Sequence, residues 1–175
     1  GQAQNPDVFF QINESRNQFY DRLPEIVQDY MDKVNAKLGT DYKLFNYYGA
    51  EDAEVVIVAM GSVNDTIEET VDHLLKQGKK VGLVKVRLYR PFSAKALVEA
   101  LPKSVKRIEV LDRTKEAGSI GEPLYLDVVA ALRDTEFANV PVFTGRYGLG
   151  SKDTTPKDIV AVFENTEKKR FTVGI

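Results

Sequence analysis

Four nearly continuous apolar runs recur at regular intervals, and each is followed by a turn and then by apolar residues at spacings of three and four. The runs are "VVIVAM" (55–60), "VGLVKV" (81–86), "RIEVL" (107–111) and "VPVFT" (140–144). A run with no apolar/polar alternation suits a strand covered on both faces. Gly61-Ser62 turns the chain after the first run. Asn64 or Asp65 can then cap a helix that points Ile67, Val71, Leu74 and Leu75 inward, with Gly78 as its stop. "RLYRPFS" and a short helix through Leu97 and Leu101 follow the second run. Glu122-Pro123 opens a helix carrying Leu124, Val128, Ala131 and Leu132. Thr155, Pro156 and Asp158 open a last helix, with Ile159, Val162 and Phe163 as its apolar stripe. Pro141 places the fourth run at a sheet edge or close to a strand start.

Four strand–helix units with short connections predict a three-layer α/β fold, a mainly parallel open sheet with helices on both faces. "KLFNYY" (43–48) adds a candidate edge strand. Ahead of it, residues 1–16 read as polar and irregular, apart from Val8-Phe9-Phe10, which need a neighbour to pack against. A long N-terminal helix then places Leu23, Val27, Tyr30, Met31, Val34 and Leu38 on one face, with Pro24 in its first turn and Gly39 as its stop. The expected division is an N-terminal linker and long helix at 1–42, an α/β core at 43–168, and the start of a link to another domain at 169–175. The opening Gly1-Gln-Ala-Gln and the closing "RFTVGI" read together as a segment excised from something longer.

Composition narrows the function classes. A net charge of −2 argues against a general nucleic-acid surface, and no apolar run approaches a membrane span. Cysteine is absent, so disulfides, thiol catalysis and thiolate-bound clusters lie outside this chain. The cysteine usage fits a reducing cytoplasm. The single histidine, His73, reads as a solvated helix-end residue.

In a parallel α/β sheet the loops leaving the strands' C-terminal ends share one edge, where ligands usually bind. Here those loops are 61–65, 87–93, 112–123 and 144–156. The candidates for a ligand or a neighbouring domain are Arg87, Arg90, Arg113, Lys115, Gly118, Ser119, Gly121, Glu122, Arg146 and Tyr147. "AGSIGE" could bring backbone N–H groups to an anion, but neither G-x-G-x-x-G nor Gly-Lys-Ser/Thr at P-loop spacing is present. Glu122 would compete with an anion at the helix start, so a glycine turn with a charge-stabilised N-terminus outweighs phosphate binding. "GRYGLG" has the reversed spacing G-x-x-G-x-G. Its Arg146 and Tyr147 suit gripping another surface. Asp112 with Glu116 reads as a solvated carboxylate pair, and no serine has a histidine arranged to activate it. No catalytic, cofactor-binding or metal-binding residue emerges.

Four ordered motifs, "EVVIVAMGSVNDTIEETVDHL", "GKKVGLVKVRLYRPFS", "EVLDRTKEAGSIGEPLYLDV" and "GRYGLGSKD", together resemble domain II of pyruvate:ferredoxin (flavodoxin) oxidoreductase. "AQNPDVFFQ" is similar to the segment by which that family leaves its first thiamine-diphosphate-binding domain, and "FTVGI" to the start of the next domain. Domain II in turn resembles the C-terminal domain of transketolase-type enzymes, which agrees with the expected sheet. The resemblance implies a large cytoplasmic homo-oligomer that uses thiamine diphosphate with magnesium, iron–sulfur clusters and coenzyme A, and passes electrons to ferredoxin or flavodoxin. It places those cofactors in other domains and implies a non-catalytic scaffold here, inactive in isolation. Two alternatives stay open: a module of another thiamine-dependent 2-oxoacid oxidoreductase or transketolase-like enzyme, and a regulatory domain binding a small ligand.

Overall fold

The computed structural model describes residues 3–175, so the first two residues of the expected 1–42 region lie outside the described residues. Helix α1 (Pro6–Glu14) occupies most of the stretch expected to be irregular. Pro6 fits its first position, where a missing N–H costs nothing, and Asn5 accepts the first backbone bonds from Val8 and Phe9. Helix α2 (Asn17–Leu38) begins earlier than the apolar spacing suggested. Pro24 therefore lies inside the helix rather than in its first turn. Gly39, at φ +68°, ends α2 in the left-handed conformation expected of it.

The α/β body follows as β1 (Phe45–Gly49), β2 (Val55–Met60), α3 (Val63–Lys76), β3 (Val81–Val86), α4 (Ala94–Ala100), β4 (Arg107–Asp112), α5 (Pro123–Leu132), β5 (Val142–Arg146), α6 (Pro156–Glu164) and β6 (Arg170–Thr172). The sheet order is β1-β3-β2-β4-β5-β6, with β1 antiparallel to β3 and every other pairing parallel. Val58 of central β2 stands between Val84 and Val110, which fixes the register of the apolar runs. The closing run is the sixth strand, so β5 is interior and Pro141 marks its start rather than an edge. Neither Asn64 nor Asp65 caps α3: the helix starts at Val63, and both fall in its first turn.

Alternating residues of each strand feed two cores. Val56, Val58, Ile108 and Val110 pack with α4 and α5 on one face, where Val27 and Met31 of α2 also rest. Ile57, Leu83 and Leu111 pack with α3 and α6 on the other. The chain moves from β2 back to β3, then across to β4, β5 and β6. With α3 and α6 sharing one face and α4 and α5 the other, three crossovers have one hand and the α6 crossover has the opposite hand. Parallel crossovers nearly always share the right-handed sense, so α6 is the exception. To reach its face, the chain after β5 must pass over the C-terminal edge of the sheet. That passage lays residues 147–154 beside the start of α3.

Candidate interdomain edge at the strand ends

Strand β4 ends on Asp112, which is 2% exposed. Its carboxylate accepts N–H groups from Leu124 at 2.9 Å and Tyr125 at 3.1 Å, the first turn of α5. The strand thus caps the next helix across the loop, using donors that would otherwise have no intrahelical partner. Burial pushes the Asp112 carboxyl above its ordinary range, with the two N–H bonds opposing and nearby Glu122 and Asp127 adding to the rise. Asp112 is therefore not half of a solvated pair with Glu116. A folded loop removes it from water and gives it backbone donors instead.

Glu122 occupies the N-cap position of α5 but makes no cap bond there. It is fully buried and turned toward β5 and β6. Its carboxylate accepts the Glu116 N–H at 2.7 Å and faces Arg146 Nη1 at 3.3 Å and Arg170 Nη2 at 3.9 Å. Arg146 Nε donates to Thr172 Oγ1 at 3.1 Å, and Arg170 donates to the Ser119 carbonyl at 3.0 Å. One buried carboxylate thereby ties the 113–122 loop to both C-terminal strands, and the two guanidinium groups offset the cost of burying it.

Tyr147 is buried rather than free to grip a partner, because its ring belongs to the core under α3 and α6. Its hydroxyl points to the Met60 carbonyl at 3.4 Å, and burial raises its pKa. Arg113 donates through Nε to the Gly148 carbonyl at 3.1 Å, joining the loops after β4 and β5. Gly121 lies against the Tyr125 ring, where a methyl group would overlap it. Ser119 folds its hydroxyl back onto the Gly121 carbonyl at 2.6 Å. Lys115 and Gly118 stay exposed on the same loop, beside Ile120 at 84% exposure.

Two of the ten candidate residues lie away from the Glu122 cluster. Arg87 donates to Asn46 at 2.7 Å and stacks on the Tyr42 ring, toward β1. Arg90 pairs with Asp127 at 2.7 Å and lies over Tyr89. Arg113, Ser119, Gly121, Glu122, Arg146 and Tyr147 gather around Asp112 and Arg170, neither of which was a candidate from the sequence. Asp112 carried a readable signal, a carboxylate ending an apolar strand before a loop into a proline-led helix. Arg170 carried none. A cleft of about 360 Å³ opens where the chain reverses direction in the sheet, lined by Met60, Ser62, Tyr89, Asp112, Arg113 and Tyr147 among others. Parallel α/β sheets bind ligands at such points.

Residues 53–159 match the family Pyruvate:ferredoxin oxidoreductase core domain II. The chain belongs to that family. It is 54% identical to a pyruvate-flavodoxin oxidoreductase from Enterobacter agglomerans and 55% identical to a pyruvate:ferredoxin oxidoreductase from Moorella thermoacetica. Both likenesses cover 100% of this chain and 15% of the relative. This domain II chain therefore spans about 15% of the length of the curated relatives it matches. A solved 2-oxoglutarate:ferredoxin oxidoreductase from Magnetococcus marinus is 22% identical, with a TM-score of 0.49 over 78% of this chain and 22% of that one.

Proposed function

We propose that this domain is a non-catalytic scaffold and docking unit of a thiamine-diphosphate-dependent pyruvate:ferredoxin (flavodoxin) oxidoreductase. The whole enzyme would convert pyruvate and coenzyme A to acetyl-CoA and CO2 in the cytoplasm, as a homo-oligomer, passing electrons to ferredoxin or flavodoxin. The observation that carries the scaffold reading is the Asp112 carboxylate seated on the N-terminus of α5. A diphosphate would seek those same N–H groups, and the domain's own anion already holds them.

The remaining chemistry agrees. The start of α6 is closed by a capping box between Thr155 and Asp158. Among the described residues no cluster of three ligating side chains could hold a metal ion. With no cysteine in the sequence, there is no thiolate for an iron–sulfur cluster. The residues of this domain offer no fit for a thiamine diphosphate–magnesium site or a cluster, which supports leaving those groups to other parts of the polypeptide. No helix among the described residues is long and apolar enough to cross a membrane.

Titrating the chain with thiamine diphosphate and magnesium in a calorimeter tests the reading. No heat of binding is expected at millimolar ligand, and a micromolar Kd would overturn the scaffold role.

A further inference from the structure

Nine of the fourteen exposed large apolar side chains among the described residues lie on α1 and α2, including Phe10 at 71% exposure. Neither helix contains a buried residue. Helix α2 meets the α/β body along one side only. Val27 and Met31 rest on the α4–α5 core, and Gln28 and Asn35 bond the backbone at Leu44 and Tyr42. Phe19, Ile26 and Tyr30 follow one another at helical spacing on a second stripe, about a third of a turn away at 3.6 residues per turn, and exposed Val34 lies between this stripe and Val27. Arg22, Lys33 and Lys37 border this second stripe, and the Lys33 ammonium lies 4.5 Å from the centre of the Tyr30 ring.

A helix with two apolar sides is made to lie between two bodies, and only one of them belongs to this chain. We propose that the second stripe of α2, with Phe9 and Phe10 of α1, seats a neighbouring domain of the same long polypeptide through an apolar groove with an acidic rim. This rests on the docking role proposed above. It moves the docking surface from the strand-end loops to the N-terminal helices. Three observations favour that occupant. The chain makes up about 15% of its relatives' length, so far more polypeptide exists to cover the stripe than this domain contains. The border of the stripe is net cationic, with Arg22, Lys33 and Lys37 against the single carboxylate of Asp29, which calls for carboxylates opposite it. A second copy packed antiparallel on the stripe would instead set its basic border against the same basic border.

Hydrogen exchange, followed by mass spectrometry on the full-length polypeptide and on the 175-residue chain side by side, tests the proposal. Amides of α2 from Asn17 to Val34 should exchange at least about ten-fold more slowly in the full-length protein. The Ile26→Asp/Tyr30→Asp pair should abolish that difference and lower the full-length Tm while leaving the Tm of the 175-residue chain unchanged. Equal exchange in the two proteins would overturn the proposal. So would protection that appears in the 175-residue chain as it dimerises, because that outcome gives the stripe to a second copy. Pyruvate-dependent ferredoxin reduction by the full-length protein reports separately on the enzyme reading. Activity without protection rejects the docking surface alone, and protection without activity rejects the enzyme alone.

Discussion

Asp112 and Leu124 are joined by a 2.9 Å bond from the helix backbone to the strand-end carboxylate, so β4 and α5 form one mechanical unit across a loop. The Tyr125 N–H makes the second bond to the same group. Replacing Asp112 with alanine strands two buried donors. The expected loss is about 2–3 kcal/mol, the sum of a lost cap and unsatisfied N–H groups. Asp112→Asn keeps one acceptor and removes a buried charge, so it should cost less than half as much. Urea unfolding of the two variants beside the parent chain gives the comparison.

The Glu122–Arg146 pair should be strongly coupled. Glu122 is fully buried, and the Arg146 side chain is only 14% exposed, so removing either partner leaves a charge with little water around it. Glu122→Gln is expected to cost about 3 kcal/mol, as for other buried pairs broken from one side. The double variant Glu122→Gln/Arg146→Gln should cost clearly less than the sum of the two singles, with a coupling energy of about 1–3 kcal/mol. Strict additivity in a double-mutant cycle would show that Arg170, at the longer 3.9 Å, carries the carboxylate instead.

These two relationships also show how far the residues spoke in advance. The apolar runs and their intervening stripes revealed the parallel sheet because a two-faced strand has to be apolar throughout. Val58 between Val84 and Val110 is that rule realised. The edge was harder to read. Tyr147 and Glu122 looked available because tyrosine and glutamate usually reach water, yet the opposite-handed α6 crossover folds the next loop over one and β6 brings Arg170 to the other. Contacts set by a crossover's hand leave no trace in local spacing. The N-terminal region failed differently: residues 1–16 looked too polar and irregular for a helix, and Pro24 read as a first-turn residue, so that α2 was expected to begin later than it does.

Gly118 and Gly121, three residues apart in one loop, should respond to alanine for different reasons. Gly118 holds φ +81° with open space around it, so alanine there meets only the backbone penalty of about 1–2 kcal/mol. At Gly121 the backbone tolerates a side chain, but the new methyl overlaps the Tyr125 ring. Gly121→Ala should cost about 1–3 kcal/mol as the ring is forced aside. A Tyr125→Ala background should recover most of the Gly121→Ala loss and none of the Gly118→Ala loss, as read from denaturation midpoints.

Glu109 should make stability fall as the medium becomes alkaline. It is fully buried on β4, with one oxygen 2.8 Å from Arg107 Nε and the other without a partner. Burial outweighs the nearby guanidinium and pushes its pKa up to about 8 from an ordinary 4.5. Between those values the folded chain holds a proton that the unfolded chain has released. Stability is therefore greatest below about pH 4.5 for this group and is lost as pH rises toward 8. Raised by burial, Asp112 contributes with the same sign. Glu109→Gln cannot ionise, so urea unfolding from pH 5 to pH 8.5 should show a flatter profile for the variant than for the parent. Parallel profiles would mean that Arg107 keeps Glu109 ionised throughout.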